Sequence, residues 1–230
     1  ALDQDAIQSA HTGFAPRVGG LAVYLSIVAL VPILNFGFIP ISFFFELNVG
    51  FTSLLILSGS FIFVVGTAED LGYLMSPLRR IFTSVISSLF TIVVFRAWIS
   101  QLGISPLDFL LSFSPIGIIF TIFATVGIIN AFNLIDGSNG LSSYISISTA
   151  LSLSYISFAV DNNQISIFLL LMSASVAGFM VLNFPFGKIF LGDGGAYVLG
   201  HLLVWCAILL INIDQSISPF AILLIFFWPV

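Results

Sequence analysis

The chain has 230 residues, of which 59% are hydrophobic and only 7% charged, and its formal net charge is −5. An ordinary soluble domain carries about 25% charged residues, so this composition excludes a water-clothed globular protein and identifies an integral membrane protein. One cysteine, Cys206, excludes an internal disulfide and reads as a small buried hydrophobe, and nothing in the composition points to nucleic acid.

About 20 apolar residues cross the hydrocarbon of a bilayer as a helix. Taken in chain order, apolar segments at 19–38, 50–66, 80–98, 115–135, 141–159, 164–184, 194–212 and 216–230 predict about eight spans. Backbone polar groups must be satisfied within lipid, and runs such as 165–172 are apolar on every face. The expected fold is therefore an all-α polytopic transmembrane bundle. Residues 1–230 are expected to form one membrane-embedded domain. The chain opens Ala1-Leu2-Asp3 and stops at Trp228-Pro229-Val230 beside an apolar segment, so it is expected to be a fragment lacking the first and last spans of a parent protein.

Four polar islands interrupt the spans: His11 to Gly20, Gly66 to Asp70, Asn130 to Gly140 and Lys188 to Gly195. Counting crossings places all four on one side. Arg17, Arg79, Arg80 and Lys188 lie on that side, whereas Glu46, Asp108, Asp161 and Asp214 lie on the other with only Arg96 near them. Lys and Arg concentrate on cytoplasmic loops, so the islands are expected at the cytoplasmic face. Ionisable groups are costly at the edge of hydrocarbon, and several on one face suggest a reaction centre.

Glu69-Asp70 is expected just past a helix end, where its oxygens suit a hard cation such as Mg²⁺, a general base, or merely a solvated pair facing the arginines. Asp193, between Gly192 and Gly194-Gly195, is either a helix N-cap or part of an anion site at a helix N-terminus. Lys188 is a phosphate counter-charge or a snorkelling anchor. Asn130 and Asn133 share a helix face, and Asp136 follows in a Gly-rich turn with Ser138 or Asn139 as a cap. These groups could read a nucleobase or sugar, or glue helices together. Arg17 suits a bidentate phosphate contact, and His11 is a phosphate ligand or a loop residue. His201, mid-span, reads as a packed, hydrogen-bonded histidine, and Arg96 as an anchor on the far side.

The ordered set His11…Pro16-Arg17-x-Gly-Gly20, Gly66-x-x-Glu69-Asp70, Asn130-Ala-Phe-Asn133-Leu-Ile-Asp136-Gly-x-Asn139-Gly140 and Asn183…Lys188-Ile-Phe190-Leu-Gly192-Asp193 resembles the polyprenyl-phosphate N-acetylhexosamine-1-phosphate transferases. The resemblance covers nearly the whole chain. It implies transfer of a sugar-1-phosphate from a UDP-N-acetylhexosamine to undecaprenyl phosphate, releasing UMP, with Mg²⁺, in the bacterial cytoplasmic membrane. It makes Glu69, Asp70 and Asp193 the catalytic carboxylates, Asp193 and Asp70 the metal ligands, and one of the paired acids the base toward the acceptor phosphate. It places His11, Arg17, Asn130, Asn133, Asp136, Asn139, Asn183 and Lys188 around substrate, with Phe190 stacked on uracil. A homodimer is left open.

The chain departs from the family at Glu69, where many members have Asp, at Asn139 (Asp in others) and at Ala196 (Ser in others). These departures lean toward enzymes that start surface polysaccharides such as O-antigen. The exact sugar is not fixed. A rival reading is a transporter with polar groups at broken helices, which would expect charges near the bilayer midplane.

Overall fold

The computed structural model describes residues 16–35 and 48–226, which form nine α-helices and no strand. In chain order these are α1 (Gly19–Asn35), α2 (Val49–Asp70), α3 (Pro77–Phe95), the short α4 (Ser105–Leu111), α5 (Ser114–Ile135), α6 (Leu141–Ala159), α7 (Asn163–Asn183), α8 (Gly192–Ile213) and the short α9 (Pro219–Ile225). Among them α2, α3, α5, α7 and α8 are each long and apolar enough to cross a membrane. Helix α6 has 19 residues, but its sequence LSSYISISTALSLSYISFA is diluted by serine. Helix α1 covers the described part of the first expected span. Helix α9 begins the last, whose residues 227–230 lie outside the described segments.

Local chemistry moves several boundaries. Helix α2 runs on to Asp70 because Thr67, Ala68 and Glu69 contain no breaker. The chain leaves the helix only at Leu71 and Gly72, the latter at φ +96°. Glu69 and Asp70 therefore sit in the last helical turn, not beyond it. Ser76 caps α3 by accepting from the Arg79 N–H, and Pro77 occupies the first turn, where its missing donor costs nothing. A first-turn proline, Pro106, also marks α4, inside a segment expected to be loop, but there Ser105 is already helical and the N-cap, Ile104, makes no side-chain hydrogen bond. Helix α6 begins after Gly140, at φ +79°, with no side-chain cap, so neither Ser138 nor Asn139 plays that part.

Helix α8 is the axle of the bundle. Every residue from Gly194 to Leu210 is buried, as expected of a helix apolar on all sides. Helices α1, α2, α5, α6 and α7 pack around it. Two crossings are glycine on glycine: a Cβ on Gly66 would lie 2.5 Å from Gly194 Cα, and one on Gly20 would lie 2.4 Å from Gly195 Cα. Membrane helices approach this closely where small residues meet.

Helix α3 is amphipathic in the sense opposite to a soluble helix. Phe82 and Val93 are 64% and 73% exposed, while Ser84, Ser87, Ser88 and Thr91 are buried. An apolar outer face and a polar inner one suit lipid as the solvent. The hydroxyl stripe is satisfied, as a buried polar group must be: Ser84 and Thr91 donate to the Arg80 and Ser87 carbonyls of their own helix, and the other two bond across helices. Ser88 bonds Thr125 of α5 at 2.8 Å, and Ser87 donates to the Ser58 carbonyl of α2 at 2.5 Å. His201 of α8 closes this layer, its Nε2 2.9 Å from Ser58 Oγ and its Nδ1 3.2 Å from Ser87 Oγ. It is the packed, hydrogen-bonded histidine expected from sequence. The fold is that of a multi-pass membrane helix bundle.

Candidate functional site

The first turn of α8 exposes unpaired N–H groups, and a helix end needs acceptors for them. Its N-cap residue, Leu191, contributes no side-chain hydrogen bond. The acceptors come from other helices. Asp70, at the end of α2, takes the N–H of Asp193 at 2.9 Å and that of Gly194 at 3.0 Å. Asp136, just beyond α5, takes the N–H of Gly192 at 3.2 Å and the hydroxyl of Ser142 at 2.5 Å. Asp193 is thus not the N-cap of its own helix; Asp70 fills that role from a distance. Gly192 sits at φ +80°, and a Cβ there would lie 2.6 Å from Asp70 Oδ2, so the position needs glycine.

The Asp193 carboxylate is held from its other side. Asn133, on the last turn of α5, donates from Nδ2 to Asp193 Oδ1 at 2.7 Å. Glu69, beside Asp70, makes an ion pair with Arg80 of α3, Oε1 to Nη2 at 2.6 Å. Arg80 also reaches the hydroxyl of Tyr197, one turn beyond Asp193, at 3.4 Å. Glu69 Oε2 and Arg80 Nε are buried and have no hydrogen-bond partner among the described residues. The charges of Asp193 and Arg17 both bear on Glu69 and Asp70. Burial pushes the Asp136 carboxyl up to about 7; the bonds from Ser142 and Gly192 oppose that rise, and the nearby Asp193 and Asp70 charges add to it.

The remaining island residues form the surrounding wall. Asn183 is buried, and both ends of its amide are engaged by main chain: Oδ1 accepts from Gly140 N–H at 2.6 Å, and Nδ2 donates to the Ile189 carbonyl at 2.8 Å. Asn139 donates to the Pro185 carbonyl at 3.3 Å. Phe190 joins the first island to the fourth, its N–H donating to the Pro16 carbonyl and its carbonyl accepting from Gly19 N–H, at 3.0 and 2.9 Å. Asn130 turns back to the Val126 carbonyl on its own helix at 2.7 Å. Lys188 is exposed. His11 lies outside the described residues.

The structure therefore brings the described parts of all four islands together around the start of α8. Two members of the cluster, Arg80 and Tyr197, were not singled out as site residues from sequence. From sequence Arg80 reads only as a cytoplasmic-side base at the start of the third expected span, whereas the Ser76-Pro77 start puts it in the first turn of α3. Tyr197 is four residues after Asp193, on the same helix face, but it reads as one more aromatic in an apolar run. Among the described residues no three His, Cys, Asp or Glu side chains make a metal cluster by themselves. The donors present are hard oxygens: Glu69, with one carboxylate oxygen buried and unbonded, Asp193, and the amide of Asn133. That set fits a magnesium-like ion, which commonly takes one or two carboxylates and completes its shell with water and substrate phosphate.

A family model described as glycosyl transferase family 4 matches residues 51–211. The phospho-N-acetylmuramoyl-pentapeptide-transferase of Staphylococcus epidermidis is 29% identical over 212 residues, covering 88% of this chain and 64% of that protein. The undecaprenyl-phosphate alpha-N-acetylglucosaminyl 1-phosphate transferase of Escherichia coli K12 is 24% identical over 208 residues, covering 89% and 53%. The phospho-N-acetylmuramoyl-pentapeptide-transferase of Staphylococcus haemolyticus is 29% identical over 219 residues, covering 92% and 66%. The chain thus spans between half and two thirds of the length of these curated relatives.

Proposed function

The chain belongs to glycosyl transferase family 4, and from that premise we propose that it transfers an N-acetylhexosamine-1-phosphate from a UDP-sugar to undecaprenyl phosphate. An oxygen of the lipid phosphate attacks the sugar-linked phosphorus of the UDP-sugar. The P–O–P bond breaks, UMP leaves, and the sugar remains on a polyprenyl diphosphate that starts a cell-envelope glycan. The observation that carries this reading is the meeting of Glu69, Asp70, Asn133, Asp136 and Asp193 at the amino end of α8.

Transfer between two phosphates asks mainly for positioning and charge neutralisation. Asp193, oriented by Asn133, and Glu69 are the groups we assign to hold Mg²⁺, together with the lone pairs that Asp70 keeps beyond its two N–H bonds. When bound, the ion would act as Lewis acid and template for the phosphates. Asp70 anchors the start of α8 and so fixes where Asp193 points. One of the paired acids, Glu69 or Asp70, keeps a lone pair clear of the ion and takes the proton from the acceptor phosphate. Arg17 and Lys188 offer positive charge to substrate phosphates, as would His11, while Asn130, Asp136, Asn139 and Phe190 line the uridine-sugar side. Asn183 shapes that wall by tying Gly140 to Ile189. The basic residues gathered at this end support a site at the cytoplasmic face of the bacterial inner membrane. Glu69 and Asn139 favour a sugar that begins a surface polysaccharide such as O-antigen.

A transporter is not favoured. The carboxylates stand at helix ends, and the mid-helix His201 is fully occupied by Ser58 and Ser87. The test is UMP release by the purified protein with undecaprenyl phosphate, Mg²⁺ and a panel of UDP-N-acetylhexosamines. Asp193→Asn is expected to abolish metal-dependent turnover while leaving the melting profile in detergent in place. Near-normal turnover of that variant, or no UMP from any donor, would refute the assignment.

A further inference from the structure

Glu69 and Arg80 form a half-used pair. One carboxylate oxygen and one guanidinium nitrogen meet at 2.6 Å, while Glu69 Oε2 and Arg80 Nε, both buried, bond to nothing among the described residues. Buried polar groups are normally all satisfied, and a partly satisfied pair marks a place where a ligand group belongs. The two bare atoms differ in kind: Oε2 accepts from a donor or a cation, whereas Nε donates to an acceptor. A divalent cation with a phosphate oxygen supplies both at once.

Tyr197 shows that Arg80 has a second anchor. Its hydroxyl, at 3.4 Å from Nη1, holds the guanidinium beside the pair. Arg80 therefore has somewhere to stay if its bond to Glu69 loosens. Asp193 acts on Arg80 as well as on Glu69, so all three charges share one field. A cation approaching Glu69 meets a resident positive charge and must displace or outbid it.

We propose that Arg80 is the exchangeable counter-charge of the site: it competes with the divalent cation for Glu69, and cation binding frees its guanidinium to take the anionic substrate. This rests on the reading of Glu69 and Asp193 as cation-binding groups. Binding of cation and substrate would then be coupled, the cation releasing the cationic group that the phosphate next uses.

The experiment uses the full chain in detergent, titrated with Mn²⁺ alone and followed by electron paramagnetic resonance. No UDP-sugar is present, so the result does not depend on transfer activity. Arg80→Gln is expected to bind Mn²⁺ about tenfold tighter, the order that follows from removing a neighbouring like charge in a partly screened site. In saturating Mn²⁺ the same variant is expected to bind inorganic pyrophosphate about tenfold more weakly, for loss of a charge-assisted contact. Tyr197→Phe keeps every charge and loosens only the second anchor of Arg80. It is expected to weaken pyrophosphate binding about twofold while changing Mn²⁺ affinity little, and it carries the test if Arg80→Gln does not fold. Unchanged or weaker Mn²⁺ binding by Arg80→Gln overturns the competition. Unchanged pyrophosphate binding in both variants overturns the release to substrate. Asp193→Asn is the control: wild-type Mn²⁺ affinity there would sink the cation assignment itself, a failure separable from that of Arg80.

Discussion

Gly66→Ala should be a severe substitution for a single methyl group. The added Cβ would stand 2.5 Å from Gly194 Cα, 2.6 Å from Gly194 N and 2.8 Å from Asp193 C, all of them backbone atoms that cannot rotate away. Ordinary contact begins at 3.4 Å, so α2 and α8 must part by about 1 Å at this crossing in a densely packed interior. Overpacking of this kind costs about 1–3 kcal/mol, offset by at most about 1 kcal/mol of helix propensity gained on replacing glycine. The net loss, about 1 kcal/mol at mid-range and up to about 3 kcal/mol, corresponds to a melting point lowered by roughly 2–4 °C per kcal/mol in a chain of this size. The same movement stretches the Asp70 bonds to Asp193 and Gly194 from 2.9 and 3.0 Å beyond hydrogen-bonding distance. Misplacement of a reacting group by about 1 Å can cost 10²-fold in rate. Gly127→Ala is the matched control, because its Cβ would meet nothing within 4 Å. Thermal unfolding in detergent together with UMP release compares the two. If Gly66→Ala melts no lower than Gly127→Ala and turns over as fast, the close α2–α8 crossing does not set the site.

Two further substitutions probe the wall of the site. Asp136 has its carboxyl raised to about 7 from an ordinary value of 3.8, so the folded protein holds its proton more tightly than the unfolded chain does. Its contribution therefore favours folding below about pH 4 and is lost as pH rises through 7. In divalent-free buffer, Asp136→Asn should flatten the fall in melting temperature across that window, and parallel pH profiles would contradict the stated burial. Asn183→Ala removes the acceptor for Gly140 N–H and the donor to the Ile189 carbonyl. Leaving one buried and one part-buried main-chain group unpaired should cost about 2–4 kcal/mol in chemical unfolding, with faster hydrogen exchange at Gly140; unchanged exchange there would argue against the tie.

The helices and the acid-bearing turns were legible because each is written locally. Length and apolarity mark α2, α5, α7 and α8, and Gly, Pro and charge mark the breaks between them. The convergence of the islands was legible too, since counting crossings needs only the number of spans between them. The source of the α8 cap was not. Sequence offered Asp193, the nearest acid, whereas the fold uses Asp70, 123 positions earlier, and no local pattern encodes such a pairing. Arg80 and Tyr197 escaped for a related reason. Their meeting depends on how α3 and α8 rotate about their axes, and the buried serine stripe that sets the rotation of α3 resembles mere dilution of an apolar segment. The start of α4 was a weaker local signal: Pro106 stands in its first turn as Pro77 does in α3, but no side-chain cap accompanies it as Ser76 accompanies α3.

Because α8 is sheathed by its neighbours from Gly194 to Leu210, acyl chains touch the outer helices and not the rod that carries Asp193. A thinner or thicker bilayer tilts whatever it touches, at a fraction of a kcal/mol per ångström of mismatch. In this protein that adjustment falls on the casing, and the carboxylate keeps its depth relative to the groups that approach it. Membranes of differing lipid length should accordingly leave the geometry of the candidate site undisturbed until the outer helices themselves begin to separate.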